Sequence, residues 1–140
     1  MKNSKLLKVR WGRVLLIGIV VYTLSYCIIF LVIAAYGFIL AFRAQGAPDQ
    51  DQIQQFATQI SPWGVPALSF LLTFSATVWL SRKVVIAASL HGLLVGLIVA
   101  IISVILSLIS GWALNLQDLM WFFLIVVAGW FGGFLYSRGQ

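Results

Sequence analysis

The single histidine of the chain, His91, lies in the apolar sequence ASLHGLLVGLIVA at residues 88–100. An imidazole can transfer protons, bind a metal ion or pair with hydroxyl groups. An ionisable side chain inside a membrane-spanning segment is therefore a candidate functional group. A proton relay also needs a second titratable group at a similar depth, and the acids of this chain lie only in predicted loops or at their edges. These acids are Asp49, Asp51 and Asp118.

Two hydroxyl side chains are expected at the depth of His91, counted from the end of each apolar segment at about 1.5 Å per residue. They are Tyr22 in the first segment and Thr73 in the second. A neutral imidazole hydrogen-bonded to one of them accounts for a buried histidine without any proton chemistry. We therefore predict that His91 is structural, with proton transfer as the alternative, and we take Tyr22 and His91 as the intramembrane polar candidates.

No other set of residues has the composition or spacing of a catalytic site. The sequence contains no glutamate and a single cysteine, Cys27. It has no nucleophile–base pair, no cluster of metal ligands and no glycine-rich phosphate loop. We expect no catalytic, cofactor-binding or metal-binding residues, so an enzyme is the weakest interpretation.

Small residues recur four positions apart in three apolar segments, and on a helix such residues share one face. Small faces allow helices to approach closely in lipid, where close packing and hydrogen bonds drive association. We predict that these faces pack helices together, within one chain or in a homodimer; the alternative is a polar path across the membrane. The helix-packing candidates are Ser69, Thr73, Thr77, Ala88, Gly92, Gly96, Ala100, Gly129 and Gly133.

The elements that position these residues are four long apolar segments, at approximately 14–42, 63–80, 84–109 and 119–136. Hydrophobic residues make up 62% of the chain and charged residues 9%, a composition typical of an integral membrane protein. A helix needs about 20 residues to cross a bilayer, so each segment is long enough. We predict an all-α, four-helix membrane bundle in a single domain, residues 1–140, with a first helix long enough to tilt or to project.

The basic residues predict how the bundle is oriented. With four spans, eight of the nine Lys and Arg residues fall on one side, and Arg43 alone falls on the other side with the three acids. The side richer in Lys and Arg is normally cytoplasmic, so we predict that both termini are cytoplasmic. The net charge of +6 then favours contact with the lipid surface rather than with nucleic acid.

The segment 44–62, AQGAPDQDQIQQFATQISP, is the one sizeable polar stretch between spans. Its apolar residues Ile53, Phe56 and Ile60 recur at helical spacing, and the APD sequence at its start is suited to a helix beginning. We predict a short amphipathic helix on the outer surface, which connects two spans. A lid or a docking site is the alternative.

The sequences LHGLLVGL at 90–97 and AGWFGGFL at 128–135 carry a resemblance to a known family. The chain resembles the small four-span bacterial membrane proteins of unknown function that have a His-Gly-x-x-x-Gly third span and a glycine-rich fourth span. The matching positions are His91, Gly92 and Gly96. The resemblance covers mainly residues 67–135 and implies four helices in a bacterial inner (plasma) membrane, with no implied activity.

Two classes of function remain. The first is a non-catalytic membrane protein, either self-associating or an accessory subunit of a larger membrane complex, with the lipid bilayer as its surroundings. The alternative is a small transporter or channel that uses the polar stripes of spans two and three together with His91. A transporter needs a wet internal cavity open to one side, whereas a structural bundle is filled.

Overall fold

The computed structural model describes residues 11–82, 88–109, 111 and 115–137, and nearly all of these residues are helical. The helices are α1 (Trp11–Ala44), α2 (Gln50–Ser81), α3 (Ala88–Ile109) and α4 (Leu116–Ser137). Each of the four is long and apolar enough to cross a membrane. The predicted all-α membrane architecture is thus confirmed. The predicted start of the third span, 84–87, lies outside the described residues.

The second helix differs from the prediction, because it includes most of the segment expected to be a separate surface helix. Asp49 caps it, accepting a hydrogen bond from the Asp51 amide at 3.0 Å, and the helix runs without a break through Pro62 and Pro66 to Ser81. The helix therefore begins at Gln50, well before the predicted span start near residue 63. Prolines are tolerated inside long membrane helices, where neighbouring groups compensate for the missing amide.

The apolar stripe of this segment packs on α1 rather than on a lipid surface. The Phe56 ring stacks on Tyr36 with ring centroids 4.1 Å apart. A Cβ built on Gly37 would lie 3.2 Å from Ile53, so the two helices approach closely here. Helical spacing of apolar residues predicts a buried face but does not identify the surface that buries it.

Helices α2 and α3 contact each other and both flanking helices, and α4 packs against them more closely than α1 does. Within the described residues the backbones of α1 and α4 do not approach each other, although Tyr22 and Ile125 belong to one buried cluster, and α1 is the more loosely packed of these two flanking helices. Its buried face follows a three-to-four-residue period, as expected for a helix covered on one side. That face consists of Val14, Gly18, Val21, Tyr22, Ser25 and Ile29.

The helices differ in length, and the difference produces a projection at one end. At about 1.5 Å per residue, α3 and α4 are each about 33 Å long, close to the thickness of a bilayer core. Pro66 shares a cavity with Ser107 and Asp118 near the ends of these helices, and Gly64 packs on Ile29. Among the described helices, α1 and α2 continue beyond that level without α3 or α4 for about 20 Å. We call residues 30–62 the projecting hairpin.

Arg13 and Arg82 mark the opposite end of the bundle, where α1 begins and α2 ends. Val14 and Leu80 share a buried cluster with Val95, so the two arginines lie at the same level. We call this end the basic end.

Candidate functional site

The small faces of α3 and α4 meet with their backbones in direct contact. Cβ atoms built on Gly92 and Gly129 would each collide with the other residue's carbonyl oxygen. A Cβ on Gly96 would lie 2.8 Å from the Ile125 carbonyl oxygen, and one on Gly133 would lie 2.6 Å from that of Ala88. Backbone atoms cannot move aside as the end of a side chain can. Glycine is therefore required at these positions for the helices to reach this separation.

The hydroxyl stripe of α2 faces the interior along its whole length. Ser69, Thr73, Thr77 and Ser81 are all buried, with exposed fractions of 2% or less. The Thr77 hydroxyl donates to the Thr73 carbonyl at 2.8 Å, and the Ser81 hydroxyl donates to the Thr77 carbonyl at 2.6 Å. Gly132 of α4 packs directly on Thr77. Two of the four hydroxyls are thus bonded within their own helix and buried, which leaves them little capacity to line a wet path.

One hydroxyl pair joins α2 to α1. The Ser69 hydroxyl donates to the Ser25 hydroxyl at 3.0 Å, and Ser25 donates to the Val21 carbonyl at 2.9 Å. All three residues are buried. Interhelical hydrogen bonds of this kind contribute on the order of 1 kcal/mol in a bilayer.

The predicted polar layer around His91 does not form as expected. Tyr22 packs in a cluster with Val99 and Ala100, about two turns along α3 from His91. The Thr73 hydroxyl is buried and has no hydrogen-bond partner, so it does not bond to His91. The depth count was wrong because it placed Val14 and the start of span three at one level, whereas Val14 packs beside Val95.

His91 itself is 1% exposed, as expected for a side chain inside the bundle. The adjacent Gly92 packs on Gly129 and Gly133, and Gly132 packs on Thr77. His91 is therefore level with Thr77, near the basic end. All three acids of the chain lie toward the other end, so no carboxylate accompanies the imidazole. These acids are Asp49 and Asp51 of the projecting hairpin and Asp118 of α4.

A small polar cavity lies between α2, α3 and α4 at the hairpin end. Its polar lining residues are Ser103, Ser107, Asp118 and Trp121, and its volume is about 30 Å³. The indole nitrogen of Trp121 is buried and has no hydrogen-bond partner. Pro66 also lines the cavity and contributes no amide hydrogen. A volume of this size accommodates about one water molecule, which a buried indole donor can bind.

Several residues that position the site were not singled out from the sequence. A Cβ on Gly18 would lie 2.6 Å from Ile98, which explains the close contact of α1 with α3. In the sequence, Gly18 and Ser25 are small residues seven positions apart among large apolar ones, and this spacing indicates a close helix contact. Asn115 and Asp118 form a reciprocal cap at the start of α4, with bonds of 3.1 and 3.0 Å. The N-x-x-D spacing was the signal for that helix start.

The fold and the packed interior together define an integral membrane protein with four helices of spanning length. No protein-family model matches the chain, and no match was found among the curated proteins or the solved structures.

Proposed function

We propose that the chain is a non-catalytic membrane protein that acts as a self-associating or accessory subunit in the plasma membrane of a bacterial cell. In this proposal both termini are cytoplasmic and the projecting hairpin lies outside. The resemblance to four-span bacterial proteins and the charge distribution support this location. The activity of such a protein lies in the surfaces that its helices offer to neighbours in the bilayer.

The observation that carries the proposal is the use of the small and polar faces inside the monomer. The glycines of α3 and α4 contact each other's backbones, and hydroxyls of α2 bond within α2 or to α1. The cavity beside Trp121 has room for about one water. A transport path needs considerably more wet volume than this. The faces that looked available for a homodimer are also already occupied.

We take α1 as the helix available for association, because it is packed more loosely against α2 and α3 than α4 is. It exposes large side chains along its outer face, with Phe30 70% and Phe38 73% exposed. Cys27, the single cysteine, is exposed on the same helix. A neighbouring subunit that packs on α1 therefore brings its own helix close to Cys27.

Cysteine cross-linking in native membranes tests this arrangement without any added residue. We expect a short bis-maleimide to convert the wild-type chain to a species of twice the monomer mass through Cys27. A chain with Cys27→Ser and Phe123→Cys, which moves the thiol to an exposed position on α4, is the matched control and should not form that species. Cross-linking to a different protein supports the accessory role, and no cross-link from Cys27 to any protein contradicts both roles.

A small transporter or channel is the competing proposal, supported by the unpartnered indole of Trp121 and by the serines beside it. It requires the cavity at the hairpin end to widen during a transport cycle. Ion or proton flux into proteoliposomes that contain the wild-type chain, abolished by Ser103→Leu, supports transport over the structural role.

A further inference from the structure

An apolar groove lies between α1 and α2 at the basic end, outside the packed core. Its volume is about 470 Å³, within the range of small-molecule sites. Leu16, Ile17 and Leu80 supply its apolar walls, and Arg13 and Trp79 also line it. Leu80 belongs to the buried Val14–Val95 cluster, so the floor of the groove is part of the folded core.

The guanidinium of Arg13 cannot be neutralised by any carboxylate side chain of this chain. All three acids are among the described residues: Asp118 lines the cavity at the hairpin end, and the other two lie at the start of α2. The spanning helices separate them from Arg13 by about 30 Å, far beyond the screening length of physiological salt. A groove with a basic residue and no acid complements an anionic group attached to an apolar chain.

The level of the groove agrees with that chemistry. α2 ends at Ser81, the residue after Leu80 of the groove, so the groove lies where a spanning helix reaches the headgroup region. Trp79 is 53% exposed there, and tryptophan side chains are enriched at this depth of the membrane.

We propose that the groove binds an anionic phospholipid, with its phosphate at Arg13 and the upper part of an acyl chain along Leu16, Ile17 and Leu80. This assignment is independent of whether the chain self-associates. One basic residue near the membrane surface contributes about 1 kcal/mol toward anionic lipid, which corresponds to roughly a fivefold preference.

The test is native mass spectrometry of the full-length chain in a non-ionic detergent with equimolar dioleoyl phosphatidylglycerol and dioleoyl phosphatidylcholine. We expect the wild-type chain to retain phosphatidylglycerol about fivefold over phosphatidylcholine. Arg13→Gln should reduce that ratio to near one, and Arg13→Lys should keep most of it. Arg82→Gln is the control, because it removes the same charge at the same end of the bundle from a residue that does not line the groove.

A second variant tests the apolar part of the site. A Cβ on Gly12, which also lines the groove, would meet nothing within 4 Å, so Gly12→Phe can fill the groove without displacing a protein contact. It should lower retention of both lipids while the melting temperature stays close to that of the wild type. Equal retention of the two lipids by the wild type, or equal loss of preference in Arg13→Gln and Arg82→Gln, would overturn the assignment.

Discussion

The lack of a Cβ atom at Gly96 allows α3 to pack closely against α4. A Cβ at this position would lie 2.8 Å from the Ile125 carbonyl oxygen, and a backbone carbonyl cannot rotate away. We expect Gly96→Leu to lower stability by about 1–3 kcal/mol, the usual cost of overpacking. Gly12→Leu is the matched control, because a Cβ there meets nothing. Thermal melts in one detergent compare the two, and equal melting temperatures contradict the contact.

The imidazole of His91 is buried among the helices. A polar side chain buried in a membrane protein is normally hydrogen-bonded, and removal of its polar atoms leaves a partner unsatisfied. We expect His91→Gln to retain most of the stability and His91→Leu to lose about 1 kcal/mol more. Thermal melts of the two variants give the comparison. The proton-transfer alternative predicts instead that both variants lose proton flux equally, since neither side chain titrates.

Residue types were more predictable here than residue partners. The G-x-x-x-G pattern of Gly92 and Gly96 indicated a close helix contact, and the structure places that contact on Gly129 and Gly133. The expected neighbours of His91 were wrong because a sequence gives the position of each residue along its own helix. It does not give the axial offset between two neighbouring helices. Val14 lies beside Val95, a shift of more than two turns from the level assumed.

Among the helices, α2 combines two chemically different halves. Its N-terminal half is rich in glutamine, and its C-terminal half is apolar with a buried hydroxyl stripe. The start at Asp49 was indicated by the APD sequence, and the structure has this residue as the cap. The continuity of the helix was not predicted, because the change from polar to apolar residues near Pro62 looks like a membrane boundary. It marks the level at which α3 and α4 end and α2 continues as a helix beyond them.

The projecting hairpin depends on contacts between only two helices, which makes it locally weak. Phe56 stacks on Tyr36 near the middle of the projection. Such aromatic pairs contribute about 1 kcal/mol beyond the area they bury. We expect Phe56→Ala to increase amide hydrogen exchange in residues 50–60 about fivefold, with exchange in α3 and α4 unchanged. Gln55→Ala, at the adjacent exposed position, should leave exchange as in the wild type.

Two results would contradict the local stabilisation of the projecting hairpin by this ring stack. If Phe56→Ala raises exchange throughout the bundle, the hairpin is part of the global folding unit rather than a local one. If exchange does not change anywhere, the ring stack does not stabilise the projection.

For the molecule as a whole, the four-helix region is about as thick as a bilayer core, and the projecting hairpin adds about 20 Å at one end. That end carries the three acids and Arg43, and the basic end carries Arg13 and Arg82. The asymmetry of charge therefore coincides with the asymmetry of shape. The segment of greatest polarity, in the N-terminal half of α2, extends away from the basic end.

This coincidence leads to a prediction of orientation. Because Lys and Arg side chains are retained on the cytoplasmic side, the projecting hairpin should face the outside and both termini the cytoplasm. In a Cys27→Ser background, Gln54→Cys places a thiol on an exposed position of the hairpin. We expect a membrane-impermeant maleimide to label it in intact cells, whereas Gln140→Cys should be labelled only after the membrane is opened.

A third introduced thiol is the control for the orientation experiment. Leu71→Cys lies on the exposed face of α2 near the middle of its apolar half, where a maleimide in water has no access in either orientation. It should therefore remain unlabelled before and after the membrane is opened, until detergent is added. Labelling of Gln140→Cys but not Gln54→Cys in intact cells would mean that the bundle has the opposite orientation. The hairpin would then be cytoplasmic, and the proposed lipid groove at Arg13 would face the outer leaflet.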